Sequence, residues 1–231
     1  MIVDGHLAQM ISNATTWVLP IVFAVTLHEA AHGFVALRFG DDTALRAGRV
    51  SFNPINHIDP VGTVLLPALL LVTSGFMFGY AKPVPVNFGR LKPIRLGMVL
   101  VALAGPLTNV LLAIVSALLL YGLGLIPDVA EMWVERNLVN SLQINCVLCV
   151  FNMLPMPPLD GGRVAVGLLP RALAMPLARV EPYGMLILMG LFLLAYISTR
   201  TGFGLNPLAF LIGVPTNLLI RFVLAMTGIN A

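Results

Sequence analysis

His28, Glu29 and His32 spell His-Glu-Ala-Ala-His, a pattern whose residue types and spacing can do chemistry. On a helix, residues four apart lie on one face. His28 and His32 can therefore direct imidazole nitrogens at a single point. Glu29 lies beside that face, where it can reach a water held there without being a ligand. This is the spacing of helix-borne zinc sites in which two His hold Zn²⁺ and the Glu acts as general base. The setting sharpens the reading. Residues 14–39 are otherwise almost wholly apolar, apart from Thr15, Thr16, Thr26 and Arg38. An ionisable side chain at membrane depth costs at least about 2–3 kcal/mol. Three within five residues need a compensating partner, most simply a metal ion.

The elements that must position these residues are membrane spans. The chain is 231 residues long, 58% hydrophobic and 10% charged, against roughly 25% charge in a soluble domain. The net charge of +3 comes from scattered basic residues without interleaved aromatics. That pattern indicates the lipid bilayer, and no nucleic acid, as partner. Cys146 and Cys149 sit in an apolar run and read as packing residues rather than a disulfide or metal pair.

Five segments reach the roughly 20 residues of a helical crossing: 15–37, 96–121, 138–157, 183–199 and 206–226. A sixth, 61–78, contains Pro67. The expected fold is an all-α polytopic membrane protein of five to six transmembrane helices, with a re-entrant or β-hairpin segment after the first. Basic residues concentrate in cytoplasmic loops. If 61–78 re-enters and the N-terminus lies outside, all Lys and Arg except Arg136 and Arg200 face the cytoplasm, Arg221 among them. If 61–78 crosses fully, later segments invert and most basic residues end outside. The charge pattern favours re-entry. Residues 49–52 and 79–87 read as extended, since Pro83 and Pro85 break any helix. Such an edge suits either β-addition of an unwound substrate strand or a rigid connector.

Two His leave a catalytic zinc site one protein ligand short. The strongest candidate is Asp160, in the run Asn152-Met153-Leu154-Pro155-Met156-Pro157-Pro158-Leu159-Asp160-Gly161-Gly162. Three prolines and two glycines break the chain at the end of the 138–157 span. In the orientation above, that break and the His pair reach similar depth. From spacing alone, Asp160 reads equally well as a turn residue.

At this point the chain resembles the site-2 proteases, intramembrane zinc metalloproteases, in their short form without PDZ or CBS domains. The matching segments are His28–His32, Ala104-Gly105-Pro106-Leu107-Thr108-Asn109, 79–87, and Asn152 through Gly161 with Leu159-Asp160-Gly161. The resemblance implies a single membrane-embedded protease domain over 1–231, with a catalytic core at about 15–165 and accessory helices at about 180–228. It implies one Zn²⁺ per chain on His28, His32 and Asp160, with Glu29 as base. Asn109 and Asn152 become candidates for contact with substrate or oxyanion, against plain roles in helix packing. The implied activity is regulated intramembrane proteolysis, near the cytoplasmic side of a prokaryotic inner membrane. The implied substrates are transmembrane proteins such as anti-sigma factors, signal-peptide remnants or membrane-bound regulators. His57 and Asp59 read as loop residues rather than further ligands. A metal-transport reading accounts for the buried ligands but not for Glu29.

Overall fold

The computed structural model describes residues 2–59, 65, 82–202 and 206–229, with side chains described from residue 13 onward. Among these residues the regular structure is helical and no strand occurs. The chain runs through α1 (Ile2–Arg38), a short α2 (Thr43–Arg46), and 3₁₀ turns at Pro54–His57 and Phe88–Arg90. It continues through α3 (Ile94–Leu119), α4 (Asp128–Asn152), α5 (Asp160–Leu168), α6 (Arg171–Ala178), α7 (Glu181–Thr201) and α8 (Val214–Thr227).

Among the described residues, four helical stretches are long and apolar enough to cross a bilayer: Asn13–Arg38, Ile94–Leu125, Glu181–Thr201 and Ala209–Thr227. The chain is thus a helical membrane protein. The expected 138–157 span falls on α4, which is long enough but more polar. Its Asn140, Ser141 and Asn145 are bonded to α1 and α3 rather than facing lipid. A helix that meets polar partners inside a bundle need not be apolar all round. The 61–78 segment, whose path the charge pattern addressed, lies outside the described residues apart from Leu65.

α1, α3 and α4 pack on one another as a three-helix core, with α5 laid against α3. α1 and α3 run antiparallel, since His28 meets Asn109 and His32 meets Val101. Pro20 in α1 and Pro106 in α3 are carried inside their helices. Small side chains let α8 dock. Ala113, Ala117 and Cys146 form the buried floor on which Leu142 and Val223 close. This docking corrects one expectation. The C-terminal end of α8 lies beside the end of α3 remote from the His pair, with Tyr121 Oη donating to the Thr227 carbonyl at 2.9 Å. The charge reading had ended this segment on the cytoplasmic face with Arg221. A single Arg is a weak topological signal against a groove of small residues that fits Val223.

The polar ends of the bundle differ. At one end Asp42 pairs with Arg46 and Arg90, and Arg163 approaches Glu181 at 3.8 Å. At the other, Trp133 and Asn140 bond Thr15 and Thr16.

Residues 49–52 form a bend and 82–87 an irregular run. The N–H groups of Lys82, Val84 and Asn87 go to single acceptors instead of a ladder. Lys82 donates to the His57 carbonyl at 3.0 Å, Val84 to Glu29 Oε2 at 2.8 Å and Asn87 to Asp41 Oδ2 at 2.6 Å. Pro83 and Pro85 have no N–H to give, which removes alternate rungs.

Candidate functional site

His28 and His32 stand one turn apart on α1 and face α3. Along α3, Val101, Gly105 and Asn109 fall at intervals of four and so share the facing stripe. Each meets the His pair. A Cβ at Gly105 would stand 2.5 Å from Nε2 of both rings. Only glycine lets the α3 backbone pass this close.

The other two stripe residues set the rings. His28 Nδ1 lies 2.6 Å from Asn109 Oδ1, and His32 Nδ1 lies 2.7 Å from the Val101 carbonyl. Both partners are carbonyl oxygens, which only accept, so each Nδ1 must carry the proton. In its neutral form each ring then presents an Nε2 lone pair. The two Nε2 atoms are 3.1 Å apart, and Asp160 Oδ2 lies 3.2 Å from one and 3.3 Å from the other. All three residues are buried. Asp160 Oδ2 is itself buried and takes no hydrogen bond among the described residues.

With both rings neutral, three acceptors converge, an arrangement that repels itself unless a cation is shared, a proton or a metal ion. Zinc bonds of about 2.0–2.1 Å at tetrahedral angles place neighbouring donor atoms roughly 3.3 Å apart. The observed triangle has that size. The donor set also suits zinc, with two imidazoles and one carboxylate.

Asp160 reaches this point because the chain is pinned on both sides of it. After α4, residues 153–159 turn tightly, with Met156 N donating to the Leu154 carbonyl at 2.7 Å and Leu159 N to the Met156 carbonyl at 3.0 Å. Gly161 packs on the Met153 carbonyl, and Gly162 and Gly184 on the backbone of Pro157. None of the three has room for a Cβ. The turn is held between α5 and α7, and Asp160 opens α5 facing α1.

Glu29 is half-buried on the flank of the His face. Its Oε2 accepts the Val84 N–H at 2.8 Å, which ties the 82–87 run to the carboxylate. Asn109 is fully buried behind His28, with Oδ1 on the ring and Nδ2 donating to Asn145 Oδ1 at 2.8 Å and the Ala24 carbonyl at 3.4 Å. It thus stands on the Nδ1 side of the ring, opposite the Nε2 atom that faces Asp160. Asn152 ends α4 and donates from Nδ2 to the Leu148 carbonyl at 3.0 Å. His57 is buried in its 3₁₀ turn, with Nε2 2.9 Å from the Ser51 carbonyl. Asp59 follows just after that turn. Both cysteines are free thiols.

Sequence reasoning missed Gly105, Val101 and Asn145 as parts of the site. A signal for the first two was present in the interval of four that joins Val101, Gly105 and Asn109. Asn145 had none, because nothing in the sequence shows which face of α4 meets Asn109.

Known proteins resemble this chain over most of its length. "Putative zinc metalloprotease YwhC" of Bacillus subtilis is 39% identical over 82% of this chain and 85% of its own. "Putative zinc metalloprotease Rip2" of Mycolicibacterium smegmatis is 34% identical over 61% of this chain and 52% of its own. Another such protein, MJ0611 of Methanocaldococcus jannaschii, is 33% identical over 59% of this chain and 62% of its own. No family model and no solved structure matches.

Proposed function

The chain belongs to the site-2 protease family of zinc metalloproteases, and from that premise we propose that it is an intramembrane zinc endopeptidase carrying one Zn²⁺. Its proposed substrates are transmembrane proteins, cut near the cytoplasmic side of a prokaryotic inner membrane in regulated intramembrane proteolysis. Anti-sigma factors, signal-peptide remnants and membrane-bound regulators are the substrate types that fit. The observation that carries this reading is the buried triangle of His28 Nε2, His32 Nε2 and Asp160 Oδ2, with sides of 3.1 to 3.3 Å.

Zinc held there would supply Lewis-acid activation of a water and of the scissile carbonyl. Glu29 takes the proton of the attacking water and returns it to the leaving amine. The Val84 N–H anchors one Glu29 oxygen, leaving the other for the proton. Asn109 and the Val101 carbonyl keep both rings in the tautomer that offers Nε2. The substrate helix must unwind at the cut, because its carbonyls are otherwise tied in hydrogen bonds.

For orientation, we assign the end bearing Arg46, Arg90 and Arg163 to the cytoplasm and the N-terminus to the outside, in a multi-pass protein. The test is cleavage of single-span proteins co-reconstituted in vesicles. Wild type should cut. Glu29→Gln should keep its zinc but lose about 10²-fold or more in rate, the usual worth of general-base catalysis. Equal rates with zinc retained would remove Glu29 from the chemistry.

A further inference from the structure

We propose that Asn145 of α4 is a positioning residue for the metal, acting through Asn109. It holds the Asn109 amide in the one orientation that presents His28 Nε2 as a ligand. The inference rests on the zinc reading above and concerns a residue three contacts away from the proposed metal, through Asn109 and His28.

An asparagine amide has an oxygen and an NH₂ of nearly equal size, so shape alone does not choose between its two orientations. Chemistry must. With Oδ1 towards His28, as found, Nδ1 of the ring carries the proton and Nε2 offers a lone pair. With the amide reversed, NH₂ would face Nδ1. That nitrogen would have to give up its proton, and Nε2 would carry a hydrogen into the point where three donors meet.

The partners of Asn109 Nδ2 decide the matter. One is the Ala24 carbonyl at 3.4 Å, a long contact. The other is Asn145 Oδ1 at 2.8 Å. Asn145 has the same ambiguity, and its own bonds resolve it. Its Nδ2 donates to the Ser141 carbonyl at 2.8 Å and lies 3.3 Å from Ser141 Oγ. A backbone carbonyl only accepts, so Asn145 must turn its NH₂ to Ser141 and its oxygen to Asn109. Donor and acceptor roles are thus set in order from the Ser141 carbonyl to Asn145, to Asn109, to His28. Asn109 and Asn145 are 0% and 1% exposed, so solvent does not replace a lost partner.

The test is zinc affinity, read by competition with a chelator on purified protein in detergent. The variants are H28A, N145L, N109D and the double variant N109D/N145L. H28A should lose zinc. N145L should bind zinc about 10-fold or more weakly, the scale of disrupting the support of a metal ligand. Its zinc-free form should melt somewhat lower than wild type, since the buried Asn109 NH₂ loses its 2.8 Å acceptor. N109D should bypass Asn145. A carboxylate accepts from His28 Nδ1 with either oxygen and has no wrong orientation, so adding N145L to it should cause no further loss. This dependence on background separates positioning from general packing. N145A repeats the comparison should N145L fail to fold.

Wild-type affinity in N145L, or an equal loss in both backgrounds, overturns the inference while H28A without zinc leaves the metal reading standing. Zinc retained by H28A overturns both.

Discussion

At the scale of single residues, the site is a problem of room and of proton placement. Gly105 supplies the room. Its missing Cβ is the space in which both Nε2 atoms stand. Gly105→Ala should therefore weaken zinc binding by about tenfold or more. It should do so although alanine favours a helix interior over glycine by about 1 kcal/mol. Chelator competition alongside melting of the zinc-free protein separates the two effects. His28, Glu29 and His32 were legible because three ionisable groups inside an apolar run have few bland explanations. Asp160 was legible as a break in a span, and its role came from the family likeness. The placement of Asn109 was not legible. A sequence can show that an amide lies near a site, but only the packing of α3 on α1 shows which side of the ring it touches.

At the scale of elements, two constructions hold the site together. The first is the turn between α4 and α5, clamped by glycines. Gly161→Ala would drive a Cβ into the Met153 carbonyl, which is backbone and cannot step aside. We expect a loss of about 1–3 kcal/mol from overpacking, with zinc lost as Asp160 moves. Thermal melting and metal content check both. The second is the anchor of the 82–87 run at Asp41. Burial pushes the Asp41 carboxyl up, but the Thr43 hydroxyl, the N–H groups of Asn87 and Thr43, and nearby Arg90 together hold it below the ordinary carboxylate value. A depressed carboxylate stabilises the fold above its unfolded pKa of about 3.9 and loses that contribution as pH falls through the lower folded value. Wild type should therefore out-melt Asp41→Asn at pH 7, and the gap should shrink as pH drops below about 4. An unchanged gap would mean that the Asp41 charge contributes nothing. The helices at 15–37, 96–121, 183–199 and 206–226 were readable from length and apolarity. The irregular course of 82–87 was readable only in part. Its prolines forbid a helix, but its N–H groups bond to Glu29 and Asp41, residues more than 40 positions away.

At the scale of the whole molecule, the bundle turns large apolar side chains outward, among them Phe23, Leu107, Leu186, Phe210 and Phe222. Such a surface is stable only in lipid or detergent. Charge gathers at the end nearer to Asp160, where Arg46, Arg90 and Arg163 lie. Single cysteines placed at Arg46 and at Asp128, in a protein with Cys146 and Cys149 replaced, should label from opposite sides of sealed cells. Cytoplasmic access is expected for the first, and the reverse pattern would invert the proposed orientation. Charge counting recovered which end is basic, yet it misplaced the end of α8. Docking of Val223 on Ala113 and Ala117 is a matter of shape, which loop charges do not report.

The central claim is that His28, His32 and Asp160 share one zinc ion while Glu29 does not bind it. The most direct test is zinc per chain in protein purified with metal present. We expect about one zinc in wild type and in Glu29→Gln, and loss in His28→Ala and Asp160→Ala. Full zinc at wild-type affinity in Asp160→Ala, or none in wild type, would contradict the claim.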